Sequence, residues 1–258
     1  MSVLASDYRE FLPPPALTEF LVCFWTQNIN SSSGYLQRVL PDGCVDMTVM
    51  NDVPMVIGPW TESFVASLAP GTAIIGARFR PGIAPVLLGI PASELLNQSL
   101  PLREVWAKSH AARFAEIPAS HGLSSQLKAM ETVLTHCIAN APQVDKIAKA
   151  AIEWIARHPH GHVEDLSRCL GLSSRHLQRR FAAAVGYGPK LFQSVLRFQR
   201  LLKLASDSPV ERNFAQFAAE AEYADQAHMS REVRRFSGGP AGISLQSATC
   251  ALRLSGLV

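Results

Sequence analysis

The sequence predicts a multidomain chain, mainly β in its N-terminal part and all-α in its C-terminal part. Three observations predict this. Short apolar runs separated by Gly and Pro recur through residues 1–100. Apolar residues at helical spacing take over beyond residue 143. The charge divides as well: residues 1–140 hold 8 Lys+Arg against 11 Asp+Glu, and the remaining 16 of 24 basic and 10 of 21 acidic residues lie beyond them. A basic half of this kind points to a polyanion partner or to a solvated basic surface.

The early elements follow from local chemistry. Phe20–Ile29 is rich in aromatic and β-branched residues, and Asn30–Gly34 closes it with turn chemistry. Gln37–Leu40 leads through Pro41-Asp42-Gly43 into Cys44–Met50, and strands follow at Pro54–Gly58, Ser63–Leu68 and Thr72–Phe79. Such spacing suits a sandwich or a barrel. Ile83, Val86, Leu87 and Ile90 then recur at helical spacing until Pro91, and Ser93 is a candidate cap for a short helix through Leu96. From Leu102 to Asn140 the pattern is helical, with a break around Ile117–Gly122. The stripe Leu123, Leu127, Met130, Leu134 and Ile138 serves either a dimer surface or its own domain. Asn140-Ala141-Pro142 ends that helix and marks the expected boundary between a domain at 1–140 and one at 143–245, with a tail at 246–258.

The informative chemistry lies in Val163–Pro189. Leu166 and Leu170 face inward from a short helix, Gly171 permits a left-handed turn, and Ser173 or Ser174 caps the next helix. Leu177, Phe181 and Val185 form its inner stripe, which leaves Arg175, His176, Gln178, Arg179 and Arg180 outside. Arg reads guanine edges and Gln reads adenine, so this face suits the major groove of double-stranded DNA. Two short helices about a Gly-containing turn describe a helix-turn-helix. A second copy spans Asn213–Phe236. Phe214, Phe217, Ala218 and Ala221 face inward from its first helix. Asp225 is the candidate cap, and Met229, Val233 and Phe236 form the inner stripe. Gln226, Ala227, His228, Ser230, Arg231, Arg234 and Arg235 lie outside. Between the copies, Lys190–Ala205 is an amphipathic rod of about 24 Å.

These segments, LxxxLGLSSRHLQRRF, GYGP, LRFQRLLKLA and AEYADQAHMSREVRRF, resemble in order and spacing the DNA-binding domain of AraC/XylS-type transcription regulators. The resemblance implies base contacts by Arg175, Gln178 and Arg179, and by Gln226, Ala227, His228 and Arg231, with Ser174 and His176 nearer the phosphates. Departures fall in the second unit. Glu222 replaces the usual turn Gly, Val233 a Phe, and Gly238-Gly239-Pro240 a longer motif. A left-handed Glu costs about 1 kcal/mol, so Gly at 222 is expected to stabilise. FLPPPAL with FLVCFW, RVLPDGCVDMTV and GARFRPGIAPVLLGIPASELLNQSLPL resemble the sensor region of a subset of the family. That implies a cupin-like barrel with added helices, a regulatory role, and recruitment of RNA polymerase.

The remaining groups have plainer readings. The string His158, His160, His162 has no Cys or carboxylate at ligand spacing, and residues 1–100 contain no His, so no metal or other cofactor is expected. Asp42, Asp46, Arg78 and Arg80 are either paired structural charges or an anchor for a polar effector. Cys44 beside two carboxylates is a poor nucleophile, and Phe24 and Trp25 suit a core. No P-loop, G-x-S-x-G, H-E-x-x-H or dinucleotide fingerprint occurs, so no enzyme is expected. Five scattered Cys without a C-x-x-C pair, no secretory pattern and no apolar run near the ~20 residues of a membrane span lead us to expect a reduced, cytoplasmic setting. The expected function is an effector-responsive transcriptional activator. The alternative is an effector-independent DNA binder whose N-terminal half is a dimerisation scaffold. Effector, operator and homodimer formation stay open.

Overall fold

A computed structural model describes residues 5–106, 108–117, 122–207 and 214–239. The six runs expected as strands form β2 (Leu21–Ile29), β3 (Tyr35–Val39), β4 (Val45–Met50), β5 (Val53–Ile57), β6 (Phe64–Leu68) and β7 (Ala73–Phe79). Two further strands, β1 (Ser6–Phe11) and β8 (Ser99–Pro101), lay outside the expectation. Both are edge strands, and the polar SDYREF of β1 lacks the apolar alternation that marks a strand in sequence. The antiparallel order is β1-β2-β7-β4-β5-β8, with β3-β6 as a separate pair, so the described strands make two sheets. Asn51 and Asp52, at φ 45° and 66°, form the left-handed two-residue link between β4 and β5.

Leu21, Phe24, Met47, Ile75 and Phe79 anchor the core of this region. Its helices are α1 (Ala84–Leu88), α2 (Leu102–Val105), α3 (Lys108–Ala115) and α4 (Leu123–Ala139). Ser93 caps no helix: Ala92–Glu94 is a 3-10 turn entered from the extended Pro91. Proline fixes the backbone there, and the turn ends at Leu95, too early for a helix through Leu96. Met130 and Leu134 of α4 are fully buried in the same core as the strands, so this stripe packs on its own region.

The helical region follows as α5 (Lys146–Arg157), α6 (Val163–Cys169), α7 (Ser174–Val185), α8 (Pro189–Ser206), α9 (Phe214–Glu220) and α10 (Gln226–Ser237). Its core is continuous from Ala148 to Phe236 and takes in Leu40, just beyond β3. The two regions interlock there. Gly43 lies at φ +81°, where a Cβ would stand 2.7 Å from the Phe192 ring and 3.4 Å from the Tyr187 hydroxyl, so only glycine lets the helical region seat. Gln199 donates to the Pro41 carbonyl, Arg38 to the Ser237 carbonyl, and Lys149 pairs with Glu19. The tail at 246–258 lies outside the described residues.

Candidate nucleic-acid interface

Each helix-turn-helix is built from the same backbone closures. In the first, Leu172 N–H donates to the Ser167 carbonyl at 2.9 Å and Gly171 N–H to Arg168 at 3.1 Å. In the second, Tyr223 donates to Ala218 at 2.8 Å and Glu222 to Ala219 at 3.1 Å. Gly171 and Glu222 both occupy the left-handed region, at φ 65° and 64°. The Ser173 hydroxyl caps α7 by accepting His176 N–H, and Asp225 caps α10 by accepting His228 N–H. The second turn is one residue longer between its left-handed residue and its cap.

Counted from the caps, the helices are in phase. Leu177 and Phe181 of α7 correspond to Met229 and Val233 of α10, and all four are fully buried. Phe217 and Ala218 of α9, and Ala221 just beyond it, are buried as well. Phe236 packs on Phe198 of α8 with ring centroids 5.3 Å apart. The 18 residues of α8 make a rod of about 27 Å between the units. Val195, Phe198 and Leu201 bury its inner side.

The outer faces differ in what they leave free. Ser174, Arg175, Gln178 and Arg179 are exposed on α7, and His176 is half-buried. Arg180, expected outside, turns back instead. Its guanidinium grips Asp145 at 2.9 and 3.0 Å, because that carboxylate already sits at the start of α5 as its cap. Burial would raise the Asp145 carboxyl, but Arg180 and the Ala148 and Ile147 N–H groups outweigh it and hold it below the usual range. On α10, Gln226, Ala227 and Arg231 are exposed. His228 is half-buried, edge-on to Tyr223 at 5.4 Å and 3.6 Å from Glu232. Arg235 lies over the Phe236 ring. Position for position, α7 presents Arg175, Gln178 and Arg179 where α10 presents Ala227, Ser230 and Arg231.

Buried and half-buried pairs brace this frame. Arg197 of α8 pairs with Glu232 at 3.3 Å and lies over the Tyr223 ring at 5.2 Å. Arg200 bonds the Ala156 carbonyl and meets Glu222 at 2.9 Å. His158 stacks on Trp154 and bonds its carbonyl through Nδ1 at 2.8 Å. Among the described residues no group of three or more His, Cys, Asp or Glu is placed to hold a metal, and no helix is long and apolar enough to cross a membrane.

In the β region Arg78 is buried and doubly bonded to Asp46, at 3.0 and 2.9 Å, with Asp42 at 3.6 Å. Burial opposes its charge, but Asp46 and Asp42 more than restore it. Burial, then Asp42, pushes the Cys44 thiol well up, and burial pushes Cys23 up to about 12. Sequence reasoning missed the parts played by Tyr187 and Gln199, which meet the β region. In sequence the GYGP segment reads only as a helix-turn-helix feature.

Two family models match the chain: "Domain of unknown function (DUF6597)" over residues 9–101 and "Helix-turn-helix domain" over residues 166–242. No curated protein matches it in sequence. Among solved structures, it is similar to a probable AraC family transcriptional regulator from Rhodopseudomonas palustris CGA009, with 24% identity over 40% of this chain and 98% of that one, TM-score 0.36. It is also similar to ToxT from Vibrio cholerae O395, with 10% identity over 96% of this chain and 99% of that one, TM-score 0.47. ToxT bound to (E)-4-(8-methylnaphthalen-1-yl)but-3-enoic acid matches with 10% identity over 95% and 98%, TM-score 0.45. By these matches, residues 166–242 carry a helix-turn-helix domain, and the β-rich residues 9–101 ahead of it match a separate domain model.

Proposed function

We propose that the chain is a sequence-specific transcription regulator that reads two neighbouring major-groove segments, one with α7 and one with α10. The observation that carries this is the pair of capped, in-phase helices held on the single rod α8, with Arg175, Gln178, Arg179 and Arg231 exposed. Ser174, His176, Gln226, Ala227 and His228 flank these readers, His228 from a half-buried position. The β region responds to a small molecule, and the DNA-bound chain activates by engaging RNA polymerase in the cytoplasm. Whether it acts as one copy or two follows from the symmetry of its site. The division of labour places sensing in residues 1–140 and DNA reading in 143–245.

The test is selection of bound fragments from random duplex DNA by the full chain at fixed moderate salt. A bipartite motif with half-sites about one helical turn apart is expected. No enrichment by a folded chain overturns the reading. Arg179→Ala is expected to weaken the selected site by about 1–3 kcal/mol and leave random DNA nearly unaffected. Equal loss on both, measured by fluorescence anisotropy, would make Arg179 a phosphate contact.

A further inference from the structure

A cavity of about 70 Å³ lies between the two sheets of the β region. Every strand except β8 supplies a wall, among them Trp25, Gln37, Val39, Ile57, Phe64 and Arg78. Most polar groups around it are spent. The Tyr8 hydroxyl donates to Glu10 at 2.8 Å, and the Gln27 amide to Ser6 and Gln37 at 2.9 Å each. Asp46 is held by Arg78. Two buried groups have no partner, and both are donors: Arg78 Nη1 and the Trp25 indole N–H. Trp25 packs over Gly76, where a Cβ would stand 2.5 Å from the indole and 2.7 Å from its Nε1. Unpaired buried donors are costly, and an acceptor in the cavity would recover that cost.

The charge around the cavity selects the acceptor. Arg78 already faces two carboxylates, Asp46 and Asp42. A third anion would meet more negative than positive charge in a buried site. A cation would meet two donors. An uncharged oxygen acceptor meets neither objection. The volume admits roughly five non-hydrogen atoms, and Val39, Ile57 and Phe64 supply apolar wall for the rest of a small ligand.

Asp42 connects this cavity to the helical region. Its Oδ1 accepts Cys44 N–H at 2.8 Å and so closes the Pro41–Gly43 turn. Its Oδ2 is 3.6 Å from Arg78 Nε. Gly43 of the same turn receives Phe192 and Tyr187, and the buried Tyr187 hydroxyl has no partner. Resting on the reading of the chain as an effector-responsive DNA binder, we propose that the cavity takes a small, uncharged carbonyl or amide compound on Arg78 Nη1 and Trp25 Nε1. We infer further that occupancy releases Asp42 Oδ2 from Arg78 to the Tyr187 hydroxyl, which tightens the seat between the regions. A charge-assisted bond from Tyr187 to Asp42 is the local gain that makes the response directional.

The test uses the full chain and three probes of nearly the same shape: acetamide, acetate and acetamidinium. Acetamide alone is expected to bind saturably, in the millimolar range by ligand-observed NMR, and to raise Tm. Trp25→Phe is expected to weaken it about tenfold, and Val39→Phe, which fills the cavity, to abolish it. Hydrogen exchange at residues 186–192 is expected to slow on acetamide binding in the unaltered chain. In Asp42→Asn, which keeps the oxygen that accepts Cys44 N–H, binding is expected to persist without that change. Acetate or acetamidinium binding as tightly as acetamide overturns the ligand class. No binding to the folded chain, or binding that survives both Trp25→Phe and Val39→Phe, overturns the site. Exchange at 186–192 that is unchanged or faster overturns the transmission. None of these readouts involves DNA, so a failure of DNA selection is a separate result.

Discussion

Glu222 shows how a residue that breaks a local rule is held by a distant partner. At φ 64° it bears a strain of about 1 kcal/mol that glycine would not. Its carboxylate meets Arg200 at 2.9 Å, with 37% and 22% of the two side chains exposed. A partly exposed pair of that kind is worth about 0–1 kcal/mol. Sequence alone led to the expectation that Gly at 222 stabilises, because the strain is visible in the turn pattern and the ion pair is not. Arg200 stands on α8, and only the packing of α8 against both units brings the two together. The structure therefore changes the expected outcome. In Glu222→Gly the two effects nearly cancel, and Tm stays close to that of the unaltered chain. Glu222→Ala keeps the strain and loses the pair, and its Tm falls by about 2–4 °C. Calorimetry on both variants separates strain from pairing.

The elements divide by how openly they were written. Leu177, Phe181 and Val185 announced α7 because apolar residues four apart share a helix face, and Asp225 announced the start of α10 because a short carboxylate before an apolar stripe satisfies free N–H groups. β1 was hidden because an edge strand need bury only part of one face, and Asp7, Arg9 and Glu10 erase its alternation. The start of α5 combines a legible part with an illegible one. Asp145 caps α5 locally, yet its second role, gripping Arg180 of α7, depends on how the two helices cross. That grip has a pH signature. The folded carboxyl lies below its usual range, so the stabilisation is present above the unfolded value of about 3.9 and is lost as pH falls through the depressed folded value. Asp145→Asn, which retains an oxygen for the cap, is expected to be less stable than the unaltered chain near neutrality. The gap is expected to narrow as pH drops below about 4. Urea unfolding across that range measures it.

At the scale of the whole molecule, the joint between the regions determines how they unfold. Tyr187 and Phe192 are 5% and 0% exposed with the β region in place, and Leu40 enters the helical core from the other side. A helical region cut free near residue 143 would uncover aromatic surface and is expected to melt below the full chain. The full chain is expected to unfold in one calorimetric transition. Gly43→Ala places a methyl group 2.7 Å from the Phe192 ring at a left-handed position, and is expected to lower Tm and split that transition into two. The charge asymmetry and the two architectures were legible at this scale. The joint was not, since Pro41–Gly43 reads as an ordinary surface turn and GYGP as an ordinary helix linker. The phase match between α7 and α10 bears on the DNA site that the proposed function assigns to this chain. With Arg175, Gln178 and Arg179 set against Ala227, Ser230 and Arg231, most of the discriminating vocabulary is on one side. Under the two-groove reading, the target is lopsided in information: one half-site is read by two Arg and a Gln, the other chiefly by Arg231 and Gln226. Base changes accumulate in the weaker half at small cost in occupancy, so target promoters would diverge from one another on that side while remaining alike on the other.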